Sequence, residues 1–115
     1  MPAYIVVRVD VKDPEKYKEY TLHSPRIVAQ HGGRFVVRGG QTTTLEGPES
    51  SQRLVVIEFP SVEQARAFYD SPEYTAARKL REGGGDASFV VVEGYPDAAW
   101  QEALAASSLL SLPVD

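Results

Sequence analysis

Few side chains in this 115-residue sequence have types and spacings that could do chemistry, and they gather around two Ser-Pro dipeptides. In "FYDSPEYTAARKLREGG", residues 68–84, Tyr74 and Arg78 are four apart and share a helix face, while Tyr69 sits just ahead of Ser71-Pro72. Around Ser24-Pro25, Tyr20 and His23 are three apart. Phenols, an imidazole and a guanidinium along one wall could hold a small anionic or aromatic ligand. Tyr20, Arg38, Tyr69, Tyr74 and Arg78 are therefore the candidate binding residues. The same groups could remove a proton from a phenolic or lactone substrate, with His23 or Glu58 as base and Arg78 or Arg38 stabilising the anion.

Each group also has a structural reading. Tyr17 and Tyr20 fit a helix face turned to the core, and Tyr69, Tyr74 and Arg78 fit plain helix–sheet packing. His23 can be a half-exposed residue ahead of Pro25, and His31 a favourable charge at a helix C-terminus. If the first and third strands are parallel neighbours, Arg8 and Glu58 pair directly and Arg34 joins them, leaving Arg38 at the other end of its strand. A carboxylate among arginines stays ionised and is a poor general acid, so this cluster either orients an anionic substrate or is a satisfied ion pair.

Composition narrows the chemistry further. Cysteine is absent, which removes disulfides, thiolate metal sites and thiol nucleophiles. Two histidines without a patterned carboxylate partner argue against a metal site, and no glycine-rich phosphate loop precedes a helix, so no metal and no cofactor is expected. A net charge of −4 with scattered basic residues leaves no footprint for nucleic acid or anionic lipid. Apolar runs stop at four or five residues, against the roughly 20 that span a bilayer, and the start "MPAYIVVRVD" reads as a strand and not a signal peptide. A cytoplasmic protein is the expectation.

These residues must be positioned by the elements around them. "AYIVVRV" is a strand; Asp13 caps a helix that carries Pro14 at its first position and is interrupted at Ser24-Pro25; a second segment runs to Gly32-Gly33. "RFVVR" is the second strand, and the threonine-rich stretch after Gly39-Gly40 continues as a bent edge strand or hairpin. "QRLVVIEF" is the third strand; Ser61 and Gln64 open the next helix as a capping box, which breaks at Ser71-Pro72 and ends at Gly83–Gly85; "ASFVVVEG" is the fourth strand. The order β-α-β-β-α-β predicts an α+β, ferredoxin-like domain over residues 1–95, with a four-stranded antiparallel sheet and both helices on one face. By alternation, Ile5, Val7, Val9, Val55, Ile57, Phe59, Val90 and Val92 share one face. Tyr4, Val6, Leu54, Val56, Phe89 and Val91 share the other. Both faces are apolar, so the one without helices is expected to pack on a second copy of the chain in a homodimer. Residues 96–115 form an alanine- and leucine-rich extension in which Trp100 and Leu104 lie on one side of a short helix, docked on the body, on the partner, or free.

The segments "AYIVVRVDVKDPEKYKEY", "GGRFVVRGG", "LEG", "RLVVIEFPS", Ala65, "FYDSPEYTAARKLR" and "FVVVEG" closely resemble the DUF1330 family of small bacterial proteins. The resemblance spans residues 3–95, and its most specific parts are the Arg-Gly-Gly at 38–40, the Ile-Glu-Phe-Pro strand end at 57–60 and the Tyr-x-Ser-Pro-x-Tyr at 69–74. It implies a ferredoxin-like fold and a dimeric α+β barrel but no activity. Its wider superfamily includes cofactor-independent monooxygenases, muconolactone isomerases and haem enzymes of the dyp and chlorite-dismutase types. Three functions stay open: a small-molecule-binding homodimer with its cleft between sheet and helices, a cofactor-independent oxygenase or isomerase of a small aromatic or lactone substrate, and a purely structural dimerisation module.

Overall fold

The computed structural model describes residues 1–113. In chain order the elements are β1 (Ala3–Val11), α1 (Pro14–Gln30), β2 (Arg34–Arg38), β3 (Arg53–Phe59), α2 (Val62–Asp70), α3 (Pro72–Lys79), β4 (Gly85–Glu93) and α4 (Asp97–Ser107). The strands form one sheet in the order β2-β3-β1-β4, with every neighbouring pair antiparallel. This is the ferredoxin-like arrangement, with the second helical stretch split into α2 and α3 and α4 appended.

Helix starts follow local chemistry. Asp13 accepts from the Lys16 amide, Ser61 from the Gln64 amide and Ser71 from the Tyr74 amide, each satisfying a donor that the first helical turn cannot pair internally. Gly32, at φ +78°, turns the chain out of α1 in a conformation that suits glycine. His31 closes the same end, its Nδ1 bonded to the Ile27 carbonyl at 2.9 Å.

The core lies between the helices and one face of the sheet. Ile5, Val7 and Val9 of β1, with Val55, Ile57 and Phe59 of β3, are buried against Tyr17, Tyr20, Phe68 and Tyr74. Aromatic rings dominate the contact: Phe68 lies 4.4 Å from Tyr74 and 5.2 Å from Phe59 between centroids.

Four expectations are corrected. First, β1 and β3 are antiparallel and not parallel: the α1 crossover brings β2 back parallel to β1, and the turn from β2 then reverses β3. Glu58 consequently lies opposite Tyr4, and Arg8 lies opposite Leu54, so Arg8 and Glu58 do not pair. Second, β4 has the opposite phase: Ala87, Phe89 and Val91 lie opposite Val9, Val7 and Ile5 on the helix face, while Val90 and Val92 lie with Val6 and Tyr4 on the other. Residues 89–92 are all apolar, so alternation could not set their phase; strand pairing does. Third, α1 is not interrupted at Ser24-Pro25 but runs through it. Fourth, residues 39–52 form no strand or hairpin; they are an irregular, almost wholly exposed loop.

The sheet face away from the helices is apolar and uncovered in the single chain. Val90 is 55% and Val92 48% exposed, with Val6, Val37, Leu54 and Val56 partly open beside them. In α4 no residue is buried, and Trp100 is 51% exposed. No helix among the described residues is long and apolar enough to cross a membrane.

Candidate functional site

Proline lacks the amide hydrogen that would bond the carbonyl four residues back, so each Ser-Pro frees one acceptor. Pro72 frees the Phe68 carbonyl, which accepts instead from the Ser71 amide at 3.2 Å and the Ser71 hydroxyl at 2.8 Å. Ser71 thereby takes an extended conformation (φ −65°, ψ 150°), ends α2 and starts α3 in a new direction. The break carries Tyr69 and Tyr74 to one place, with ring centroids 5.5 Å apart and Phe89 of β4 at 5.5 Å from Tyr69 and 6.2 Å from Tyr74.

Behind this wall two phenols meet. Tyr20 of α1 and Tyr74 of α3 share a hydrogen bond of 2.6 Å between hydroxyls, buried in the core. Burial raises the pKa of Tyr20 far above the ordinary phenol value, and the neighbouring Tyr74 hydroxyl adds to it; burial raises Tyr74 as well. Both are neutral at physiological pH and act as hydrogen-bond donors or acceptors, not as bases.

Arg81, in the turns after α3, completes the site. Its guanidinium carbon lies 5.3 Å from the Tyr20 ring centroid and 5.1 Å from that of Phe89. Burial works against its charge, but the Tyr74 and Tyr20 phenols more than offset this and raise its pKa. Its Nε is buried with no hydrogen-bond partner. A cleft of about 340 Å³ opens over Arg81, bounded by Tyr69, Phe89, Arg66, Asp70 and Val91. The lining therefore combines two aromatic faces with two guanidinium groups and a single carboxylate.

Sequence-predicted residues divide among several places. Tyr69 lines the cleft; Tyr20 and Tyr74 stand behind it, and Arg78 braces it by donating to the Tyr69 hydroxyl while lying 4.8 Å from the Tyr69 ring centroid. Arg38 is elsewhere: its Nη2 donates at 2.7 Å to the Thr21 carbonyl, the acceptor freed by Pro25, and its guanidinium lies over Phe35 at 4.4 Å. His23 is exposed in a separate shallow groove between α1 and α3, beside Arg26 and Glu73. Glu58 is on the outer sheet face, accepting from the Tyr4 hydroxyl and from Arg34 Nε, each at 3.1 Å. The predicted Arg34–Glu58 contact is present, without Arg8.

Arg81 and Phe89 were not among the sequence candidates. The signal for Arg81 was available: it follows Tyr74 by seven and Arg78 by three, the spacing of one helix face. Phe89 was assigned to the wrong sheet face with the rest of β4. No group of three or more His, Cys, Asp or Glu side chains is arranged to hold a metal among the described residues.

Comparison with known proteins matches this architecture. RPA0582, a protein of unknown function from Rhodopseudomonas palustris, is 22% identical, with 83% of each chain covered and a TM-score of 0.67. SnoaB, a cofactor-independent oxygenase from Streptomyces nogalater, is 12% identical at a TM-score of 0.60, covering 83% of this chain and 94% of its own. A dimeric ferredoxin-like protein of unknown function from Thermobifida fusca is 15% identical at a TM-score of 0.54, covering 82% and 92%. At these identities the likeness establishes the fold. No curated protein matches in sequence. Residues 2–95 match the sequence profile of DUF1330, a domain of unknown function, and the chain belongs to that family.

Proposed function

We propose that the protein is a homodimer, joined through the uncovered sheet face, whose cleft beside α2, α3 and β4 binds a small aromatic anion. One observation carries the binding reading: Arg66 and Arg81 line the same cleft as the Tyr69 and Phe89 rings. Two arginines against one carboxylate, Asp70, leave the lining with a net positive charge that an anionic ligand complements. Flat rings beside a guanidinium suit a planar ligand bearing a carboxylate or phenolate. Support for the dimer comes from the apolar outer face and from a fold neighbour described as dimeric.

The test is thermal stabilisation and calorimetric titration with a panel of benzoate-, salicylate- and naphthoate-type anions. Saturable binding by a panel member is expected, and Arg81→Met should weaken it about 10-fold or more, as loss of a charge-assisted bond would. No binding across the panel, or equal binding by Arg81→Met, would overturn the reading.

A second reading, an oxygenase or isomerase, rests on the fold shared with SnoaB and on Asp70, the one carboxylate lining the cleft. Neither His23 nor Glu58 lines that cleft, so proton removal there falls to Asp70. Oxygen uptake or loss of a bound phenolic substrate, abolished by Asp70→Asn, distinguishes this from binding alone.

A further inference from the structure

The chain exposes more surface than a compact protein of its mass. Its accessible surface is 8214 Å², whereas a folded monomer of 12.6 kDa exposes roughly 6,200 Å². Its radius of gyration is 17.7 Å against about 13 Å for a compact domain of this length. The excess of roughly 2,000 Å² is of the size that each protomer of an extensively joined dimer loses on association.

Two segments leave the body: the loop 39–52 and the arm 94–113. The loop is mainly polar, so its exposure needs no partner. The arm is apolar: Trp100 is 51%, Leu104 48%, Leu109 86% and Leu110 78% exposed. An isolated helix the length of α4 is marginal in water, and no residue of α4 is buried on its own body.

The arm's root fixes where it can go. The Gly94 amide bonds to the Pro2 carbonyl at 2.8 Å, anchoring the arm at the end of β4, two residues beyond the exposed Val92 of the outer face. A second copy seated on that face lies directly beside the root, and an 11-residue helix reaches about 16 Å further. The chain's own inner sheet face is already covered by α1, α2 and α3.

We infer that the arm is exchanged between protomers: in the dimer proposed above, on which this inference rests, α4 crosses the rim of the outer sheet face and packs Trp100 and Leu104 on the partner. The recognised surface is a second copy of this chain, and the arm adds apolar contact beyond that of the two sheet faces.

Trp100 is the sole tryptophan, so its fluorescence reports the arm directly in the intact protein. The experiment follows emission wavelength and acrylamide quenching during dilution, alongside oligomeric state by sedimentation velocity. The expected result is a blue-shifted, protected Trp100 in the dimer that becomes red-shifted and quenchable as the dimer dissociates. Leu104→Glu should weaken association about 10- to 100-fold while leaving the far-ultraviolet circular dichroism of the body in place. A dimer in which Trp100 stays fully quenchable overturns the exchange but leaves the dimer standing. Protection of Trp100 that persists in the monomer also overturns it, because the arm then folds on its own body. A protein monomeric at every concentration overturns both readings.

Discussion

The two Ser-Pro dipeptides are locally alike and end differently. At Ser71-Pro72 the freed Phe68 carbonyl is taken by Ser71 itself, and the chain turns. At Ser24-Pro25 the Ser24 hydroxyl reaches the freed Thr21 carbonyl at only 3.5 Å, and Arg38, arriving from β2, donates at 2.7 Å instead. With its acceptor satisfied from outside, α1 stays one helix of 17 residues across Pro25. A proline interrupts a helix where local groups satisfy the freed carbonyl in a non-helical geometry; where a tertiary donor does so, the helix can continue. The consequence is spatial: the broken half places Tyr69 at the cleft and Tyr74 behind it, while the unbroken half supplies Tyr20.

That contrast can be tested by unequal responses of the two halves. Tyr74 is 0% exposed at the joint between them, so Tyr74→Ala should cost about 3–5 kcal/mol in urea unfolding, as large-to-small core changes do. A loss below about 1 kcal/mol would mean the break does not rest on this packing.

Alkaline pH strains the same joint. Tyr20 and Tyr74 are raised above the unfolded value of 10.0, so above that pH the unfolded chain releases phenolic protons that the folded chain retains. Stability is therefore fully present below pH 10 and falls as pH rises, by roughly 1.4 kcal/mol per pH unit for each tyrosine while its folded form stays protonated. The double variant Tyr20→Phe/Tyr74→Phe should flatten this slope in denaturant titrations between pH 9.5 and 11.

Ser71→Ala removes both the cap of α3 and the donor to Phe68, and should cost about 1–2 kcal/mol. Ser24→Ala should cost less than about 0.5 kcal/mol, since its bond is long. Equal losses would erase the distinction between the two sites.

The prolines should respond in opposite directions. Pro25→Ala restores an amide for Thr21 inside a helix and is expected to stabilise by up to about 1 kcal/mol. Pro72→Ala, at a first helical position where proline is favourable, should destabilise by a few tenths. Thermal melts of the pair measure both signs in one comparison.

Much of the architecture was legible in the residues. Asp13 and Ser61 cap the helices they were expected to cap, because a cap depends on a side chain and an amide three residues on. The ferredoxin-like fold with its four-stranded antiparallel sheet followed from the β-α-β-β-α-β succession. The direction of β1 against β3 was misread, and with it the Arg8–Glu58 pair, although the crossover and hairpin rules determine it. The site was half legible: Tyr20, Tyr69, Tyr74 and Arg78 do gather, whereas His23, Glu58 and Arg38 lie elsewhere. Arg81, beside the Tyr20 and Phe89 rings, is absent from the sequence candidates although its spacing from Tyr74 and Arg78 marks it.

By itself the sequence determined the four strands and the helix starts at Asp13 and Ser61, that the sheet is apolar on both faces, and that no thiol chemistry is present, because these depend on residue type and short spacing. Only the tertiary structure decided the phase of β4, the continuity of α1 through Pro25 and the partial burial of Arg81 beside the phenol pair. Each of these rests on a partner more than a dozen residues away: β1 for β4, Arg38 for the Thr21 carbonyl, and Tyr20 for Arg81.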